Sequence, residues 1–239
     1  MTITGPRTTS TRLLLVVVCV VVLATATTLA NRVLPGWAYP VCGAVTAAVL
    51  LALAFGAGYT PADLGVSRAT LGRAAVTGLI GAALFLVVFG IAAAVPALRT
   101  VYDDGRVGDP DLPQLLWLTL GRITFGTVIV EEIAFRGVLP ALLGARDDRW
   151  RWGPILGASA FFGLWHFLPA LAVGRNAAVH AALGGIPTQL LQVLAMVAAA
   201  AAGVFLHAWR HFGRGVLASV LVHFTTNVGG LVIAVAVRA

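Results

Sequence analysis

The sequence predicts an all-α, polytopic membrane helix bundle with about seven transmembrane helices, and three observations carry that prediction. Of 239 residues, 59% are hydrophobic and 10% charged, with a mean hydropathy of +0.96, whereas soluble domains carry roughly 25% charged residues. Apolar runs near 13–30, 37–56, 74–98, 117–143, 153–173, 187–209 and 215–237 are each close to the ~20 residues a helix needs to cross a hydrocarbon core. Breakers separate several of them, at Pro35-Gly36, from Gly58 to Pro61, and at Gly213 and Gly215.

Taken in order, the first run follows Arg7 and Arg12 and ends at Ala24-Thr25-Ala26, a pattern shared with signal peptides. Six further apolar runs downstream favour an uncleaved first span. Cys19 and Cys42 each lie inside an apolar run, where a thiol behaves as a small hydrophobe. The segment Thr60 to Ala75 alternates apolar and polar residues and is expected either at the membrane interface or as a solvated loop. From Arg99 to Asp111 the chain holds four of its nine acidic residues, which predicts the main water-exposed loop of the far side. Asp111 followed by Pro113 reads as a helix start. The helix-compatible stretch from there to Gly144 would be about 50 Å long at 1.5 Å per residue. It therefore has to protrude, tilt or break, with Gly121 and Gly126 as candidate break points.

The net charge is +7 and the pI about 11, yet all sixteen basic residues are dispersed arginines. That pattern describes topology, and no nucleic-acid partner is expected. Nine arginines (Arg7, Arg12, Arg68, Arg73, Arg146, Arg149, Arg151, Arg210 and Arg214) fall at one end of the spans, against five (Arg32, Arg99, Arg106, Arg175 and Arg238) at the other. The excess places the amino terminus in the cytoplasm. The absence of lysine beside abundant Ala, Val, Leu and Gly points to a bacterial source and an inner (plasma) membrane location.

Chemistry concentrates in three places. Glu131-Glu132-Ile133-Ala134-Phe135-Arg136 contains the only two glutamates of the chain, and a carboxylate inside a bilayer costs at least a few kcal/mol. Glu132 and Arg136 are one helical turn apart and can pair, while Glu131 points about 100° away without a local cation. Phe162 and His166 share a face in the next span, as do His223 and Asn227 in the last. At 1.5 Å per residue, Glu131, His166, His223 and Asn227 fall at similar depths, about 13–22 Å from the arginine-rich boundary. One acid, two imidazoles and an amide can activate water and stabilise an oxyanion; a structural polar knot between helices is the alternative. HExxH, GxSG and GxGD patterns are absent.

In this order the EExxxR, FxxxH and HxxxN patterns resemble the three motifs of the CPBP family of intramembrane proteases. That family includes the type II CaaX prenyl endopeptidases, bacteriocin-processing enzymes and Abi proteins. The resemblance covers about residues 112–230 and divides one integrated membrane domain into amino-terminal helices, 1–111, and a catalytic core, 112–239. It implies Glu131 as general base, His166 holding and polarising the attacking water, and His223 with Asn227 stabilising the oxyanion. Glu132, Arg136 and Phe162 would support the site. A Zn²⁺ ion held by Glu131, His166, His223 and Asn227 is one option. The lack of thiolates and the need for the carboxylate as a base favour the other, with no cofactor. The implied partners are the lipid bilayer and a peptide or protein substrate at the membrane. The competing classes are a non-catalytic Abi-like protein of bacteriocin immunity or secretion, and a proton-coupled transporter.

Overall fold

The computed structural model describes residues 8–99, 102, 107–145 and 149–238. Arg7, Arg106 and Arg146 of the topology count, and much of the predicted far-side loop, lie outside these residues. Among the described residues the regular elements are all helices joined by turns, with no strand. Seven long helical segments make the bundle: α1 (Thr9–Thr28), α2 (Tyr39–Gly56), α3 (Leu71–Ala94), α4 (112–142), α5 (Trp152–Trp165), α6 (Thr188–Gly213) and α7 (Val216–Arg238).

Five stretches are long and apolar enough to cross a membrane: Thr9–Val33, Gly36–Gly56, Arg68–Ala94, Thr188–Gly213 and Val216–Val237. The other two expected spans differ for physical reasons. α4 is one continuous helical path, but it alternates α-turns with two runs of wide π-turns, Trp117–Val128 and Ile133–Val138. It does not break at Gly121 or Gly126. The π-runs bracket Ile129–Glu132, and such insertions are rare and tend to occur at functional positions. The expected span 153–173 stops early, because α5 ends at Trp165 and only a short helix, Phe167–Ala170, follows. Pro169 has no N–H to continue the ladder, and its ring clashes with the carbonyl four residues back, at Trp165.

The start of α4 follows the sequence signal closely. Asp111 accepts the Gln114 N–H at 2.8 Å and the Gln114 side chain accepts the Asp111 N–H at 3.3 Å, a capping box with Pro113 in the first turn. The segment after α2 is not helical before Arg68, and its residues range from exposed to buried. It folds into turns fixed by Asp63, whose carboxylate accepts both the Thr60 N–H and hydroxyl at 2.7 Å. Leu64 is fully buried there, and the Gly65 carbonyl accepts the Val216 N–H at 2.8 Å, tying this turn to the start of α7.

Between helices the chain uses small residues for close approach, the usual device where lipid removes the hydrophobic drive for helix association. A Cβ added at Gly78 on α3 would meet the Ala218 backbone of α7 at 2.9 Å, and one at Gly163 on α5 would meet the Met196 carbonyl of α6 at 2.6 Å. Gly163 therefore sets how deeply α5, with Phe162 and His166, seats against α6. The core itself runs from Cys19 and Leu23 of α1 through Leu50 of α2 to Phe135, Val138 and Leu139 of α4 and Phe162 of α5. At the start of α3 and the end of α6, Arg73 Nε donates to the Phe212 carbonyl at 2.8 Å.

Candidate active site

The α-turn Ile129–Glu132 directs both glutamates into the bundle, leaving Glu131 4% and Glu132 0% exposed. One residue of offset turns the two carboxylates about 100° apart, and they meet different neighbours. Glu132 Oε1 lies 3.2 Å from Arg136 Nη1, one turn on, and 2.8 Å from His223 Nδ1, which α7 brings in from 91 residues away. The guanidinium of Arg136 also lies flat over Phe162, with Cζ 4.0 Å from the ring centroid. Desolvation is costly for such a pair, and the pair holds because charge, hydrogen bond and aromatic face all converge on it.

Glu131 is not left unpaired by the fold, as its lack of a sequence-local cation suggested. Its Oε1 accepts the indole N–H of Trp165 at 2.8 Å, and its Oε2 faces His223 Nε2 at 3.8 Å. That separation exceeds a direct hydrogen bond, and Oε2 is buried without a hydrogen-bond partner. His223, 6% exposed, thus stands between the two carboxylates, one nitrogen toward each. With Nδ1–H donated to Glu132, the histidine has its ring orientation fixed and Nε2 turned to Glu131.

His166 sits at the break after α5, half-buried. Its Nδ1 is 2.8 Å from the Phe162 carbonyl, so Nδ1–H donates there and Nε2 is left available. Its ring packs on Phe162 at 4.5 Å between centroids, and Phe162 in turn lies 6.2 Å from the His223 ring. Phe162, a supporting residue in the sequence motif, is therefore the common wall between both histidines and Arg136. Asn227 is one turn beyond His223 and half-buried. It lines a cavity of about 500 Å³ that also exposes Arg122, Thr226 and Tyr102. The fold thus gathers Glu131, Glu132, Arg136, Phe162 and His223 into one buried cluster, adds His166 through Phe162, and puts Asn227 at the neighbouring cavity.

Sequence inspection missed Trp165, although it directly precedes the motif histidine, because an indole carries no charge to draw attention in an apolar run. It also missed Arg122, whose Cζ stacks 4.2 Å over Tyr39. His207 and His211, one helical turn apart on α6, pack edge-on against Trp150 at 5.8 and 5.4 Å. Among the described residues no three His, Cys, Asp or Glu side chains form a group able to hold a metal ion. Glu131, His166 and His223 do not close into such a cage.

Fold and site together define a helical membrane protein with a carboxylate–imidazole centre sealed inside its bundle. Residues 113–229 match the model of the family described as Rce1-like type II CAAX prenyl endopeptidases, a match consistent with the CPBP resemblance of the three motifs. All three motifs fall inside the matched residues, and the family carries CAAX endopeptidase activity within membranes as its general function. Curated proteins and solved structures give no further match.

Proposed function

We propose that this chain hydrolyses a peptide bond of a peptide or membrane-associated protein within the bilayer, using a water activated by Glu131. The observation that carries the reading is the buried pair of Glu131 Oε2 and His223 Nε2, 3.8 Å apart, with Oε2 unpartnered. A polar gap of this width suits one bridging water. Held there, a water can give a proton to Glu131 Oε2 as its oxygen attacks a carbonyl carbon. His166, with Nε2 available, accepts the water's other hydrogen and so helps hold and polarise it, and Glu131 passes the proton it has taken to the leaving amine, which regenerates the carboxylate.

The carbonyl oxygen becomes negative in the tetrahedral intermediate and needs donors already in position. His223 protonated on both nitrogens keeps Nδ1–H on Glu132 and offers Nε2–H, and Asn227 offers its amide N–H₂ from the cavity side. The amino terminus is cytoplasmic in this reading, and the membrane is a bacterial plasma membrane.

The test uses purified protein in liposomes with a panel of membrane-associated peptides, and cleavage is read by mass spectrometry. Activity is expected in the wild type, lost in Glu131→Gln and in His166→Ala, and kept after dialysis against a strong chelator. Cleavage that survives Glu131→Gln overturns the mechanism. Loss in chelator with recovery on adding Zn²⁺ overturns the metal-free form. A wild-type protein that cleaves nothing while protecting cells against a bacteriocin supports the non-catalytic Abi-like alternative.

A further inference from the structure

Trp165 ends α5 and presents two surfaces to different neighbours. Its single polar atom, Nε1–H, is given to Glu131 Oε1 at 2.8 Å, and an indole has no second donor and no acceptor. Its ring is held by Phe135, 5.9 Å away between centroids at an interplanar angle of 59°. With Phe135, Trp165 also lines an apolar groove of about 350 Å³ between α1 and α5, whose other walls include Leu23, Thr27, Phe161 and Leu164. Nothing in helix packing requires an indole there, since a phenyl ring would fill the same wall without the N–H.

From this arrangement we infer that Trp165 is a positioning residue that decides which oxygen of Glu131 acts. A carboxylate with two equivalent oxygens is free to rotate between them, and only one of the two faces His223. By occupying Oε1, the indole N–H pins the carboxylate plane and leaves Oε2 toward His223 Nε2. Because α5 breaks right after Trp165, the residue that orients the base and the histidine beside it, His166, are placed by one structural event. As part of the groove's lining, the ring is a wall against which an apolar side chain of the substrate, lying in the groove, would press. Groove occupancy and base geometry are thereby joined through one side chain. This inference rests on Glu131 being the base.

The experiment compares wild type, Trp165→Phe, Trp165→His and Glu131→Gln, all as full chains in liposomes with a cleaved peptide. Trp165→Phe keeps the apolar wall and removes only the donor, so kcat is expected to fall about 10- to 100-fold with KM changed less than about twofold. Trp165→His restores a ring N–H and is expected to recover part of that loss. An activity-independent readout accompanies it: the indole N–H resonance of Trp165, assigned by its disappearance in Trp165→Phe, should shift in Glu131→Gln. Wild-type kcat in Trp165→Phe, or an indole resonance indifferent to Glu131→Gln, overturns the inference. Those outcomes with Glu131→Gln inactive leave the hydrolytic mechanism standing, whereas an active Glu131→Gln removes the mechanism itself.

Discussion

The two ends of the buried polar cluster are built from the same residue type and are finished differently. At one end Glu132, fully buried, is matched by Arg136 at 3.2 Å and His223 at 2.8 Å, and Arg136 is backed by the face of Phe162. At the other end Glu131 has a single neutral donor, Trp165, and an oxygen facing His223 at 3.8 Å. A cation at Glu131 would compensate its charge and also blunt it as a base. Placing the cation one residue on, at Glu132, lets the same short helical turn hold a rigid ion pair and an available carboxylate side by side. His223 reports on both, because its two nitrogens divide between them.

The sharpest way to break the scaffold end is Arg136→Ala. It strands Glu132 in a fully buried site, and losing one partner of such a pair costs about 3–5 kcal/mol. Thermal unfolding in detergent should show it, and a loss below about 1 kcal/mol would mean that Glu132 is compensated elsewhere. The chemical end is probed next by Asn227→Ala. Removing one oxyanion donor is expected to lower kcat about 100- to 1000-fold, with stability changed by no more than about 0.5 kcal/mol because the side chain is only half-buried. Unchanged kcat would take Asn227 out of the site.

Two smaller changes test the wall between the ends. Gly163→Ala puts a Cβ 2.6 Å from the Met196 carbonyl, so α5 and α6 must separate, at about 1–3 kcal/mol. Activity should fall with it, since Phe162 and His166 ride on α5; full activity at reduced stability would uncouple the helix seating from the site. Phe162→Leu removes the ring from beneath Arg136 and should cost about 1 kcal/mol. A stability unchanged in both low and high salt would show that the guanidinium does not depend on that ring.

Much of this was legible from the chain. Charged residues inside apolar runs are so disfavoured that Glu131, Glu132 and Arg136 stood out at once, and four-residue spacing paired Glu132 with Arg136 as the fold does. The helix start at Asp111 was equally readable, because a capping box is a local signal. Three features were not. The bond from His223 to Glu132 spans 91 residues and depends on how α7 packs on α3, which Gly78 and Ala218 settle in three dimensions. The π-turns of α4 leave no local signature beyond a helix-compatible run, so the stretch suggested breaks at Gly121 or Gly126 where the helix in fact continues. Trp165 is an apolar residue in an apolar helix until its one N–H finds Glu131. The effect of Pro169 on α5 was readable in principle, but the unbroken hydropathy of the run outweighed it.

The division between a scaffold glutamate and a reactive one is tested most directly by measuring cleavage and unfolding on the same preparations of Glu131→Gln and Glu132→Gln. Glu131→Gln is expected to fold with a midpoint close to wild type and to cleave nothing, whereas Glu132→Gln should lose stability because Arg136 and His223 no longer face a full negative charge. Cleavage by Glu131→Gln at the wild-type rate would contradict the account.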